Sequence, residues 1–253
     1  MAFVRPQHNV IAEALRSMDA PFLERARCYF GGGTAIVLQN GEYRLSLDVD
    51  FLCADPDGYR ELRIAALERG AQAFFGPDVE TVRPFIADQY GIRGRFSLRG
   101  QPIKFEVVRE GRVTLEGAID PALGVPILAV ADQFTEKLLA NADRCADRSV
   151  AYRDAIDLGY LILSNGSIPP EAVQKAERAY GSDVPRKIAA VLGYLASPEE
   201  ARRAAETLEM SLDAVHQAAA RLHGAATAAW PEMSFGSFVT EETTSAETRF
   251  PEP

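Results

Sequence analysis

Residues Phe30 to Leu52 read FGGGTAIVLQNGEYRLSLDVDFL, and the fold turns on them. The apolar Cys28-Tyr29-Phe30 predicts a short strand that runs into Gly31-Gly32-Gly33. Thr34 to Gln39 predicts a brief helix, and Asn40-Gly41 marks its end. Leu47 to Cys53 alternates apolar and acidic residues, the pattern of a strand with two unlike faces. Asp48 and Asp50 leave one face, ~7 Å apart at Cα, while Leu47, Val49, Phe51 and Cys53 fill the other. Two carboxylates so placed repel unless a cation lies between them, and their oxygens suit a divalent ion such as Mg2+ or Mn2+. Glycines at the preceding turn, Gly32 and Gly33, let backbone N–H groups approach a phosphate where a helix dipole favours anions. A divalent ion beside a phosphate cradle is the equipment of phosphoryl or nucleotidyl transfer. No GxGxxG or GKS/T follows the turn, which excludes a dinucleotide fingerprint and a Walker loop.

A third acid fits the same geometry. In Ile103–Arg109, the residues Ile103, Phe105 and Val107 form an apolar face, with Lys104 and Glu106 opposite. A strand so patterned, lying beside the one with Asp48 and Asp50, brings Glu106 into a three-carboxylate metal site. Asp55 and Asp57 flank Pro56 and read as turn and helix-cap residues. Arg93, Arg95 and Arg99 share one face of a strand by period two, opposite Ile92, Phe96 and Leu98. They predict either a solubilising face or a patch that touches a nucleic-acid backbone.

Outward from these segments, residues 1–125 read as alternating helix and strand. Helical spacing runs from Val10 to Ala26, with a break near Pro21. Tyr59–Arg69 is a further helix, and Val79–Ile86 and Gly91–Leu98 are further strands. Residues 126–225 show no strand pattern and predict six helices: Val130–Arg144, Val150–Leu163, Glu171–Tyr180, Val184–Leu195, Pro198–Leu208 and Leu212–Leu222. Within the first of these, Lys137, Asn141 and Arg144 follow i, i+4, i+7 and make one polar stripe. Residues 226–253, rich in Thr, Ser, Glu and Pro, predict a flexible acidic tail, where Arg249 stands against five glutamates.

The order of these motifs resembles the polymerase-β-like nucleotidyltransferases. The wording GlyGlyThrAla (32–35) followed by ArgLeuSerLeuAspValAspPhe (44–51) resembles their AbiEii/AbiGii-type abortive-infection toxin family. So does Lys137 within GluLysLeuLeuAla, followed by Arg153, Asp154 and Asp157 within TyrArgAspAlaIleAspLeu. The resemblance spans about residues 30–163. It implies an α+β chain, with a mixed sheet flanked by helices and then an all-helical domain. It also implies a nucleotidyltransferase that moves an NMP from an NTP to RNA, a tRNA acceptor end in particular. The setting would be a toxin–antitoxin or phage-defence pair with a cognate antitoxin. By the same resemblance Asp48 and Asp50 hold metal, Lys137 meets the triphosphate, and Ser46 touches phosphate. Asp154 or Asp157 would then support the metal or the nucleophile. Where the family often has Gly-Ser, this chain has Gly32-Gly33, and Thr34 is left to supply a hydroxyl. Two other readings use the same residues: a small-molecule or protein nucleotidyltransferase, and a non-catalytic nucleotide-binding partner protein.

Composition bounds these readings. The chain has 253 residues, a formal net charge of −9, 47% hydrophobic residues, 19 Gly and 15 Pro. Those proportions exclude wholesale disorder and coiled-coil rods, and the acidic balance opposes broad electrostatic adhesion to nucleic acid. Cys28, Cys53 and Cys145 make no CxxC pair, so neither a disulfide framework nor a structural zinc site is expected. No apolar run reaches membrane-spanning length, and the N-terminus lacks a signal-peptide layout. A cytoplasmic protein without membrane contact is expected.

Overall fold

The computed structural model describes residues 2–236. Pro6–Arg16 (α1) and Ala20–Arg25 (α2) are separate helices, because the Asp19 side chain caps the second by accepting from the Phe22 amide. Then follow Cys28–Gly31 (β1), Gly32–Gln39 (α3), Val49–Cys53 (β2) and Pro56–Arg69 (α4). Asp55 caps α4 through the Gly58 amide, as its place before Pro56 predicts. Glu80–Ala87 (β3), Gly91–Leu98 (β4), Gln101–Arg109 (β5), Gly117–Ile119 (β6) and Pro126–Leu128 (β7) complete one sheet, in the order β3-β4-β5-β2-β1-β7-β6. It is mixed: β2 runs antiparallel to β1 and parallel to β5, and β7 runs parallel to β1.

The alternation read from sequence decides which face is buried. Val49, Phe51, Phe96, Ile103, Phe105 and Val107 point into a core shared with α1, α2 and α4. Phe85 joins them from β3, and its ring lies against Gly94, where any Cβ would overlap it. To reach inward there, β3 shifts register between Arg83 and Ile86, with Pro84 in the irregular stretch. A proline is tolerated at such a place on an edge strand because no ladder hydrogen bond is needed from it. Opposite faces of β2 and β5 carry Asp50 and Glu106, which stand in register.

From Val130 onward the described chain is helical: Val130–Arg144 (α5), Arg153–Asn165 (α6), Pro170–Tyr180 (α7), Asp183–Leu195 (α8), Pro198–Leu208 (α9) and Leu212–Ala229 (α10). They enclose a second core built on Phe134, Leu138, Ile156, Leu158, Val191 and Leu222.

Three expectations need correction. The sheet does not end at residue 125, because β7 hydrogen-bonds beside β1 and belongs to it. A tail beginning at 226 starts too early: α10 continues to Ala229, and Trp230 donates to Glu177 Oε1 at 2.7 Å. The rest of the expected tail, residues 237–253, lies outside the described residues. Finally, Arg99 is not on the β4 face. It sits in the β4–β5 turn with φ +51°, paired to Glu13 at 2.7 Å. No described helix is long and apolar enough to cross a membrane.

Candidate active site

The Gly31–Gly33 turn is tight because two side chains press on it. Gly32 has φ +67°, and a Cβ there would lie 3.0 Å from Asp50 Oδ2. A Cβ on Gly33 would collide with the Arg44 guanidinium, which is itself pinned. The backbone N–H groups that open α3 therefore sit beside Asp50. Thr34 is buried, and its hydroxyl shares a 2.8 Å hydrogen bond with Ser46, so Ser46 is the hydroxyl left at the cleft surface. Behind this segment, fully buried His8 joins Glu42 through Nδ1 at 2.8 Å and accepts from the Ser46 amide through Nε2 at 3.4 Å. Its role is to tether the loop that leads to Asp48.

One cavity of about 220 Å³ lies between the sheet and the helices. Gly32, Gly33, Ser46, Asp48, Asp50, Glu106 and Lys137 all line it, so the chain brings these expected residues together. Arg44, Lys104, Glu136, Arg144 and Arg153 line it too. Cations and carboxylates thus share its lining, a surface suited to a polyanion accompanied by a positive ion.

Asp50 is one of two strongly perturbed acids facing that space, Glu136 being the other. Burial, reinforced by the charges of Asp48 and Glu106, outweighs Lys104 and Lys137 and lifts the Asp50 pKa to about 6. Asp50 Oδ1 is buried without a hydrogen-bond partner among the described residues. A buried carboxylate oxygen with no partner is costly, and a divalent cation is the partner its chemistry fits. The third carboxylate is engaged elsewhere: Glu106 meets Lys104 Nζ at 2.9 Å and Arg93 Nε at 3.0 Å. Among the described residues no three His, Cys, Asp or Glu side chains form a group able to hold a metal. Glu106 thus faces the cavity with its charge shared by two cations, while Asp48 makes no ion pair among the described residues.

Under the cleft floor lies a second charged cluster. Asp157, fully buried, accepts from Arg44 Nε at 2.8 Å and Nη2 at 2.9 Å, from the Tyr43 hydroxyl at 2.6 Å, and meets Lys137 Nζ at 2.6 Å. Asp154 meets Lys137 Nζ at 2.9 Å and Arg144 Nε at 2.6 Å. Burial alone would raise both acids. The charge of Lys137, with Arg144 at Asp154 and Arg44 at Asp157, overcomes it and holds both below the usual carboxylate range, Asp154 well below. The backbone helps: Ala151 and Tyr152 take left-handed φ of +51° and +54°, turning the chain so that Asp154 falls in the first turn of α6. Neither Asp154 nor Asp157 lines the cavity. Their observed work is to hold Lys137, Arg44 and Arg144. Arg153 makes no pair with Asp157, although i, i+4 spacing allows one. Lys137 is buried, 4% exposed, and so is Asn141 beside it on the polar stripe.

Sequence reading missed Arg44 and Glu136. Arg44 lies inside the quoted motif, but its partner Asp157 is 113 residues away. Glu136, next to Lys137, has its pKa lifted to about 8 by burial and by the charge of Glu110.

A family model for the nucleotidyl transferase AbiEii toxin of type IV toxin–antitoxin systems matches residues 14–234. The chain belongs to this family. Being an AbiEii member makes it a nucleotidyltransferase of the toxin class, with an NTP substrate and a cognate antitoxin implied. No curated protein matches the chain. Two solved structures from Helicobacter pylori are similar to it. JHP933 shares 16% identity at TM-score 0.50, with 91% of this chain and 96% of that one covered. A candidate nucleotidyltransferase shares 16% at TM-score 0.49, with 92% and 100% covered. At such identity JHP933 bears on the fold alone.

Proposed function

We propose that this AbiEii-type enzyme transfers an NMP from an NTP to a hydroxyl of an RNA acceptor, a tRNA end in particular, with Mg2+ or Mn2+ held by Asp48 and Asp50. The observation that carries the reading is the buried, unpartnered Asp50 Oδ1 beside a cation-lined cavity. When bound, the divalent ion supplies charge neutralisation at the phosphates. The N–H groups of Gly32 and Gly33 and the Ser46 hydroxyl bind phosphate oxygens. Lys137 has three N–H donors; two serve Asp154 and Asp157, and the third is free for the triphosphate. Asp154 and Asp157 are positioning residues in this scheme, and Glu106 orients Lys104 and Arg93. The acceptor hydroxyl attacks the α-phosphorus in line and gives up its proton to solvent, the bond to the β-phosphate oxygen breaks, and pyrophosphate leaves. Positioning and electrostatics supply most of the acceleration in such transfers.

The test incubates the protein with each NTP labelled at the α-phosphate, Mg2+ and total RNA, beside Asp50→Asn. Metal-dependent labelling of RNA that Asp50→Asn abolishes supports the reading. Label on a small molecule or on protein alone would replace the RNA acceptor, a choice the net charge of −9 favours.

A further inference from the structure

The face of the sheet that carries Asp50 continues past the cavity onto a bare wing. Asp50, Glu106 and Arg93 stand in one register row across β2, β5 and β4. The next row holds Lys104 on β5, Arg95 directly opposite on β4, and Arg83 directly opposite that on β3. All three side chains of this second row are exposed. Lys104 is tied to Glu106, and Arg93 to Glu106 and Asp88. The Arg83 and Arg95 side chains make no hydrogen bond or ion pair among the described residues. Of the other acids nearby, Glu80 is opposite Ser97, a further row away, and Glu13 is taken by Arg99.

Like charges directly opposite on neighbouring strands destabilise a sheet. Three cations in a line, two of them unpaired, therefore cost stability in a chain whose overall charge is −9. The arrangement makes sense when something anionic lies along it. The row begins at Lys104, a wall residue of the cavity, and crosses two strand spacings, about 10 Å, to Arg83 at the sheet edge. That is a narrow line leading out of the site, suited to a single strand and not to a broad duplex face. Arginine matches phosphate oxygens with paired N–H donors.

We propose that the Arg83–Arg95–Lys104 row is the track on which the backbone phosphates of the RNA acceptor lie as its terminal hydroxyl enters the cleft. The assignment rests on the RNA-acceptor reading above. Arg99, expected on this face, drops out because it turns away to Glu13, and Arg83 takes its place.

The experiment compares the full chain with Arg83→Gln/Arg95→Gln and Arg83→Lys/Arg95→Lys, using a defined RNA labelled by the wild type and titrating salt. Loss of two single-strand phosphate contacts lowers the slope of log Kobs against log salt by about 1.4. The Gln variant then shows a raised KM for RNA, with kcat at saturating RNA and the KM for NTP unchanged, and the Lys variant recovers the salt slope. Wild-type RNA labelling with an unaltered slope and KM in the Gln variant overturns the track while leaving the RNA reading intact. An equal rise in the KM for NTP overturns it as well, because the row would then serve the triphosphate. If the wild type labels no RNA, the parent reading fails and the track falls with it. A Gln variant that differs only in binding a protein partner assigns the wing to that partner and overturns the proposal.

Discussion

Replacing Asp50 with Asn should make the metal-free protein more stable and leave it inactive. The ordinary Asp pKa of 3.8 rises to about 6 at this position. Holding the ionised form therefore costs about 3 kcal/mol once the pH is well above 6. Below about pH 4 the proton is bound in both folded and unfolded chains, so the cost vanishes. It grows through the window from about 4 to 6 and is complete above it. Asn carries no charge, but its amide inherits the same unpartnered position, a penalty of about 1 kcal/mol. The expected net gain is therefore about 2 kcal/mol at pH 7.5, or about 4–8 °C in Tm for a chain of this size. Urea denaturation in EDTA at pH 7.5 and pH 4.5 reads it: the variant leads at the higher pH, and the lead shrinks at the lower one. Adding Mg2+ and a non-hydrolysable NTP analogue should then stabilise the wild type and not the variant. The reasoning is refuted if Asp50→Asn is less stable than wild type at pH 7.5, or if its margin does not change with pH.

Two further outcomes follow from the cleft floor. Lys137→Ala leaves Asp154 and Asp157 short of a shared buried cation, so it should cost about 3–5 kcal/mol of stability as well as activity; chemical denaturation that shows a loss under 1 kcal/mol would place the lysine in solvent. Gly33→Ala drives a methyl into an Arg44 guanidinium that Asp157 fixes on two sides, and both Tm and kcat/KM for NTP should fall. A variant with unchanged NTP kinetics would show that Arg44 swings aside freely.

What the sequence disclosed follows from the range of the forces involved. Period-two alternation put Asp48 and Asp50 on one side of a strand and Phe51 on the other, and the glycine turn before them needed only local sterics. Glu106 was legible for the same reason, yet its pairing with Arg93 was not, because the pairing depends on which strand lies beside β5. Arg99 obeyed the period but stood next to Gly100, where the chain reverses, so its side chain left the face. Strand β7 was hidden because three residues, one of them proline, carry no periodic signal. The Arg44–Asp157 pair was invisible because nothing local marks two charges 113 residues apart as partners.

That pair has a mechanical consequence. Arg44 belongs to the loop feeding β2, and Asp157 to the middle of α6, while Lys137 on α5 shares the same carboxylate. The bond is buried on both sides, so swinging the helices away from the sheet would strand an unpaired charge in the interior at a cost of several kcal/mol. Large hinge opening is therefore an unfavourable route for loading substrate. The two halves are riveted like a closed jaw, and a ligand of the cavity would have to enter through its existing mouth.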